Sequence, residues 1–229
     1  MKLVKHLANL GYGSRKEVQK LLRMGAFSDA AGAALDDDAA VAHGDVRYKG
    51  KPLDPDFGMV LMLNKPTGYV CSLKDRGQLV YELLPPRFAE RKPVLSTIGR
   101  LDSDTSGLLL FTDDGDFLHR IISPKNHVAK VYEVVCVRPL ETHYGEVFAS
   151  GTLVLEAEKD ALKPAFLEVT GDRTARLTLY EGRYHQVRRM FAAVGNLVEK
   201  LHRAKMGDLK PGKWRLLDAA DIGGIVKPA

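Results

Sequence analysis

No stretch of this 229-residue chain comes near the ~18 consecutive apolar residues that a membrane-spanning helix needs; the longest candidate, residues 108–111, has the length of a strand. A membrane partner is therefore not expected. Charge at Lys2 and Lys5 interrupts the first residues before a signal-peptide core can form. The two cysteines, Cys71 and Cys136, are too few for a disulfide framework and lack the paired spacing of a zinc site. Together these points give the expectation of a reduced, cytoplasmic compartment. No phosphate-cradling loop of the G-x-x-x-x-G-K-[ST] type occurs, and no dinucleotide fingerprint. His119 and His127 stand eight apart with no third ligand at metal spacing. Asp113-Asp114-Gly115-Asp116 resembles the start of a calcium loop but lacks the later ligands, including a closing Glu; a turn followed by a helix cap explains it better. No cofactor and no metal are expected.

What the chain does have is positive charge in two blocks. The net charge is +5 and the pI about 9.1. Residues 1–25 hold six Lys or Arg against Glu17 alone, and residues 183–215 hold nine against Glu199 and Asp208. Acidic runs such as Asp36-Asp37-Asp38 offset them elsewhere. Two separate basic surfaces favour a nucleic-acid partner, although two solvated helix faces would leave the same trace. With 45% hydrophobic and 28% charged residues, the composition is that of a folded globular chain.

Leu3, Leu7 and Leu10 have helical spacing, closed by Gly11-Tyr12-Gly13. Ser14 is a good N-cap for a second helix, with Glu17 as its capping-box partner. Val18, Leu21 and Leu22 form that helix's apolar face, Lys16, Lys20 and Arg23 its opposite face, and Met24-Gly25 its end. A polar, Ala-rich stretch leads to a short strand and turn over residues 46–53, and Asp54-Pro55-Asp56-Phe57-Gly58 reads as a linker. A new unit begins with a buried strand at residues 60–63, broken by Asn64-Lys65-Pro66-Thr67-Gly68 and resumed at Tyr69-Val70-Cys71. Residues 108–111 form a further strand, and residues 116–122 a helix stopped before Pro124. Lys130, Tyr132 and Val134 alternate with their neighbours as a half-buried strand does, and Leu177 and Leu179 do likewise. Val187, Met190, Phe191 and Val194 recur at helical spacing up to Gly195-Asn196. Strands and helices mix without a regular βαβ rhythm. The expected fold is α+β, divided into residues 1–57 and 58–229.

Two constellations could carry chemistry. Residues 96–107 read Ser-Thr-Ile-Gly-Arg-Leu-Asp-Ser-Asp-Thr-Ser-Gly, with Arg100 and Asp102 two residues apart in a polar loop that enters an apolar strand. On the residues alone, a loop ion pair and an Asp capping a turn explain this more simply than catalysis does. The second, Glu181-Gly182-Arg183-Tyr184-His185-Gln186-Val187-Arg188-Arg189-Met190, opens a helix with polar residues while its other side is apolar. A solvated basic face accounts for Arg189 better than for the His185-Gln186 pair.

Gly99-Arg100-Leu101-Asp102 followed by Thr105-Ser106-Gly107-Leu108-Leu109 resembles the signature of the pseudouridine synthases that act on ribosomal RNA. Glu181 through Arg189-Met190-Phe191 is similar to the later motif of the same family. The likeness continues through Leu63-Asn64-Lys65-Pro66-Thr67-Gly68-Tyr69-Val70-Cys71, Thr112-Asp113-Asp114-Gly115, Ser123-Pro124 and Lys130-Val131-Tyr132. Glu158-Lys159-Asp160, Lys163-Pro164-Ala165 and Phe191-Ala192-Ala193-Val194-Gly195-Asn196 are similar to members acting on the small ribosomal subunit. The N-terminal segment resembles the S4 RNA-binding domain, where a Ser-Arg pair opens the second helix as Ser14-Arg15 does. It departs after Gly25: S4 domains continue with a Val-rich strand and an Asn-Gly turn, whereas this chain reads Ala26-Phe27-Ser28-Asp29-Ala30-Ala31-Gly32.

The resemblance implies a pseudouridine synthase fold, with a mixed, largely antiparallel sheet in the catalytic domain, preceded by a small α/β S4-like domain. It implies isomerisation of a uridine: the base is detached from C1′ of its ribose, turned and rejoined through C5, without cofactor or metal. Asp102 would initiate the cleavage, Arg188 would hold its carboxylate ionised, and Tyr132 would stack on the uracil and assist proton transfer. Arg100 would fill the place the extruded nucleotide vacates. Arg15, Lys16, Lys20 and Arg23, together with Arg183, His185, Gln186 and Arg189, would hold the RNA. The expected target is 16S rRNA, of the type modified at uridine 516, met as a small-subunit assembly intermediate by a monomeric enzyme. A 23S rRNA target, a non-catalytic S4-domain assembly factor, and a hydrolase using Asp102 and Asp104 as a carboxylate pair are the alternatives.

Overall fold

The computed structural model describes residues 2–72, 76–123, 128–206 and 213–225. Pro124 and His127, expected as a helix stop and a weak ligand candidate, lie outside the described residues, as do Asp208 and Lys210 of the second charge block. The chain forms two compact units. The first takes residues 1–59 with 81–96 and 111–115; the second takes 60–80, 97–110 and 116–229.

In the first unit, α1 (Leu3–Asn9) and α2 (Arg15–Arg23) are followed by three short strands, β1 (Phe27–Ser28), β2 (Arg47–Tyr48) and β3 (Lys51–Pro52), paired antiparallel in that order. The start of α2 follows from Ser14, whose hydroxyl accepts from the Glu17 amide at 3.3 Å while the Ser14 amide donates to the Glu17 carboxylate at 2.7 Å. The β2–β3 turn uses Lys49 and Gly50, both with positive φ, as a two-residue hairpin requires. Leu3, Leu7, Val18, Leu22, Phe27 and Val46 close one core. A helical turn, α3 (Pro86–Ala89), belongs to the same unit.

The expected linker is tied down instead of open. Asp54 accepts two hydrogen bonds from Arg87, at 2.7 and 3.0 Å, and its amide donates to the Tyr12 hydroxyl. Arg91 donates to the carbonyls of Pro55 and Asp56 and pairs with Asp113 at 2.6 Å, both side chains being buried. Asp113 also accepts from the Gly58 amide, so both of its carboxylate oxygens hold this unit together.

The second unit is built on an eight-stranded sheet. Its strands are β4 (Val60–Lys65), β7 (Ser96–Ile98), β8 (Thr105–Thr112), β9 (Lys130–Cys136), β10 (Phe166–Gly171), β11 (Thr174–Leu179), β12 (Val198–Met206) and β13 (Trp214–Leu216). The spatial order is β10-β11-β9-β12-β8-β4-β13, with β7 paired to β8; β5 (Tyr69–Val70) and β6 (Gln78–Leu79) form a separate parallel pair. β10/β11, β11/β9, β9/β12 and β4/β13 are antiparallel, and β12/β8 is parallel. Helices α4 (Gly115–Ile122), α5 (His143–Ala149), α6 (Gln186–Ala193) and α7 (Ala219–Ile225) intervene. The α+β expectation and the largely antiparallel sheet hold.

Two strands are longer than the sequence pattern indicated. Asn64 and Lys65 continue β4, where the Asn64 amide donates to the Lys213 carbonyl at 2.8 Å and Lys65 is wholly buried. Thr105, Ser106 and Gly107 belong to β8 because they pair with Leu201, His202 and Arg203. At Gly107 a side chain is excluded: an added Cβ would lie 2.3 Å from the Arg203 carbonyl oxygen, and φ is +111°. β12 escaped recognition because register shifts at residues 198–200 and 203–205 break its alternation, and its charged residues hide the rest.

Candidate active site

The loop between β7 and β8 is shaped from beneath by Lys65. Its Nζ reaches the carbonyls of Thr105 at 2.7 Å, Pro66 and Asp102 at 3.0 Å, and Ser103 at 3.4 Å. A buried ammonium surrounded by carbonyl dipoles is a strong organiser of backbone. Burial pulls its pKa below the ordinary lysine value, while Cys71, Asp102 and Asp104 act in the opposite direction. The Gly68 amide donates to the Ser103 carbonyl at 2.7 Å, and the Thr105 amide to that of Asp102 at 3.1 Å. Gly99 opens the loop with φ +73°. The result presents the Asp102 side chain, 35% exposed, at a cavity of about 730 Å³.

Tyr132 and Arg203 approach the same cavity from the sheet. Tyr132 stands opposite Leu177 on one side and Arg203 on the other, and is only 8% exposed. Arg203 is buried, donates Nε–H to the Leu108 carbonyl at 2.6 Å and leaves one terminal nitrogen without a hydrogen bond. Lys130, at the end of β9, also lines the cavity; burial, reinforced by Arg203, lowers its pKa to about 8.

The third wall is the start of α6. His185 adopts a left-handed conformation (φ 47°, ψ 33°), uncommon for a non-glycine residue and costing roughly 1–2 kcal/mol. That geometry sets its ring Nε2 3.2 Å from Asp102 Oδ1. Arg188 donates to the Val198 carbonyl at 3.0 Å, and its other terminal nitrogen lies 2.7 Å from Asp104 Oδ2, an ion pair without hydrogen-bond alignment.

The structure thus brings Asp102, Tyr132, Arg188, Arg100, Arg183, His185 and Gln186 to one cavity lining. It corrects the pairing expected within that set. Arg188 faces Asp104, and the side chain opposite Asp102 is His185, because positions 185 and 188 are directed at different points of the loop. Three of the residues expected on RNA also have partners within the protein. Arg183 donates to the carbonyls of Asp160 and Ala161 and pairs with Glu158 and Glu181. Arg189 pairs with Glu158 at 2.9 Å and donates to the carbonyls of Glu156 and Tyr184. Gln186 is buried, donates to Glu181 at 2.9 Å and accepts from the Arg183 amide at 2.9 Å. These bonds fix α6 against residues 156–163.

Arg15, Lys16, Lys20 and Arg23 are exposed on α2, in the first unit. In that unit His6, His43 and Asp56 have donor atoms within 4.8 Å of one another; His6 Nε2 and His43 Nδ1 share a hydrogen bond of 2.9 Å. Sequence reasoning missed Lys65, Lys130, Glu158, Glu181 and Arg203 as contributors to the site. Arg203 was visible only as one charge in a basic block, and nothing local marks Glu158 as the partner of two arginines.

The RNA pseudouridylate synthase family model matches residues 59–193. The chain is 47% identical over 191 residues to the Escherichia coli (strain K12) protein named ribosomal small subunit pseudouridine synthase A, covering 80% of each chain. It is 41% identical over 236 residues to the protein of that name from Pasteurella multocida (strain Pm70), covering 99% of this chain and 100% of the relative. A crystal structure described as a pseudouridylate synthase is 37% identical and covers 99% of this chain and all of that one, with a TM-score of 0.69.

Proposed function

The chain belongs to the RNA pseudouridylate synthase family, and from that premise we propose that it isomerises one uridine of 16S rRNA, in a small-subunit assembly intermediate, acting as a cytoplasmic monomer. The small-subunit target is supported by the relatives named ribosomal small subunit pseudouridine synthase A, which match at 41–47% identity. The finer reading, uridine 516, rests on the likeness of residues 158–165 and 191–196 to members of that type. The single observation that carries the catalytic reading is the shared cavity of Asp102, Tyr132 and Arg188.

The reaction balances without an external reagent. The C1′–N1 bond breaks, the C1′–C5 bond forms, C5 gives up one proton and N1 gains one. Asp102 initiates the cleavage, and its contact with His185 supplies a partner for the developing charge arrangement. Tyr132, held by burial, stacks on the uracil. Arg188 secures the loop through Asp104. Uridine in a stacked strand cannot present C1′ to a carboxylate, so the nucleotide is extruded into the cavity, whose volume falls within the roughly 300–1,000 Å³ typical of sites that bury a small ligand. Arg100, next to Asp102 in the cavity lining, takes the vacated place in the strand. The first unit acts as an S4-like RNA-binding module through Arg15, Lys16, Lys20 and Arg23.

The test is to map pseudouridines in ribosomal RNA from cells with and without the protein, and in 16S transcripts treated with it. One 16S position that depends on the protein is expected. A 23S position, or no dependent position at all, overturns the proposal.

A further inference from the structure

Tyr184 is an exposed aromatic side chain held in a defined orientation. It is 75% exposed, yet its ring lies 3.9 Å from that of His185, the two planes 16° apart. His185 is itself fixed by its left-handed backbone and its contact with Asp102. The Tyr184 carbonyl accepts a hydrogen bond from Arg189, which Glu158 anchors. One face of the tyrosine is thus covered, and its high exposure leaves the other to solvent. Tyr184 also lines the cavity that holds Asp102 and Tyr132. A half-covered aromatic ring at the edge of a cavity lined by Arg and Lys is the kind of surface on which a nucleobase stacks.

We propose that Tyr184, backed by His185, forms a second nucleobase subsite, which receives the base adjoining the target uridine. The inference rests on the reading of the cavity as the place where a uridine is taken out of a strand. Extrusion of that uridine breaks its stacking with the bases on both sides; Arg100 fills the gap in the strand, and the open face of Tyr184 receives the one flanking base that turns toward the cavity edge. Stacking reads π-surface and not hydrogen-bonding edges, so the subsite accepts any base and favours the larger purine face. It is distinct from Tyr132, whose burial confines it to a base inside the cavity.

The experiment uses the full chain and an rRNA fragment containing the target uridine, with an abasic nucleotide placed in turn on each side of it. Equilibrium binding and single-turnover pseudouridine formation are both measured for the wild type, Tyr184→Leu, Tyr184→Phe and Tyr184→Trp. Tyr184→Leu is expected to weaken binding roughly tenfold, the loss expected for one stacked base, while Phe and Trp retain it. An abasic nucleotide on one side should lower wild-type binding to the Tyr184→Leu level and have no further effect on that variant. Equal binding by wild type and Tyr184→Leu overturns the subsite. So do abasic and Leu effects that multiply, and so does a loss in Tyr184→Phe, which would assign the effect to the hydroxyl. Tyr184-dependent binding without turnover by the wild type would overturn the catalytic reading and support the subsite. Because Tyr184 is solvent-exposed, the variants are expected to fold, and the Phe and Trp variants check this directly.

Discussion

His185 Nε2 stands 3.2 Å from Asp102 Oδ1, while the guanidinium of Arg188, three residues further along α6, approaches Asp104 at 2.7 Å. Two carboxylates in one loop therefore meet two different side chains, one at the N-cap of α6 and one within it. The better-exposed Asp104 serves as the anchor, and Asp102 faces the cavity. Below them, Lys65 fixes the loop backbone at the carbonyls of Asp102, Ser103 and Thr105. The arrangement separates chemistry from positioning within three residues.

Asp102→Asn should eliminate pseudouridine formation and leave RNA affinity nearly unchanged, since the change preserves shape and removes only the ionised group. Asp104→Asn should lower the rate without eliminating it, because it acts through the loop. Turnover and binding on one RNA distinguish the two; wild-type-like turnover by Asp102→Asn would falsify the catalytic assignment.

Lys130 predicts a pH dependence. Its pKa in the folded protein, about 8, lies below its ordinary value of 10.5. The folded state therefore disfavours the charged form. That penalty is fully present below pH 8 and relieved as pH rises from about 8 to 10.5, so this group's contribution to stability should increase across that window. RNA affinity should move the other way, as a cavity cation is lost between pH 7 and 9. Lys130→Arg, which stays charged, should flatten the binding profile in that range.

Gly107 is where β8 passes closest to Arg203. Gly107→Ala should cost at least ~3 kcal/mol, from the clash and the positive φ together. Urea denaturation measures it, and a loss below about 1 kcal/mol would show that the strands separate readily.

The buried Arg91–Asp113 pair should be similarly sensitive. Replacing Arg91 with Met leaves a buried carboxylate uncompensated and removes the donors to Pro55 and Asp56; a loss of about 3–5 kcal/mol is expected. These bonds also make removal of residues 1–57 a poor probe of RNA binding, since Arg87 and Arg91 would lose partners within their own unit.

Charge reversal on α2 is a better probe. Lys16→Glu with Lys20→Glu should weaken rRNA binding and reduce its salt dependence, because fewer counterions are released. Both side chains are solvent-exposed, so thermal stability should change little. Unaltered affinity and salt slope would remove the first unit from RNA recognition.

Local chemistry made much of this protein legible from residues alone. Ser14 and Glu17 start α2 by their own hydrogen bonds, and the alternation around Tyr132 and the spacing through Phe191 mark a strand and a helix without distant partners. β12 stayed hidden because its register shifts defeat a period-two pattern. The identities of Asp102, Tyr132 and Arg188 as candidates came from motif likeness, and their meeting in one cavity depended on the strand order that sets β9 beside β12. Which charge meets which was decided by tertiary structure alone. Arg183 and Arg189 count as positive in any tally of the sequence, yet Glu158, far away in the chain, engages both. His185 reaches Asp102 only because its backbone is left-handed and α6 packs where it does. The sequence by itself determined the family likeness and those elements whose hydrogen bonding and periodicity act over a few residues, such as α2, β9 and α6. Only the folded chain decided the electrostatic partners, because Coulombic contacts depend on distances of a few ångströms between residues that the sequence keeps far apart.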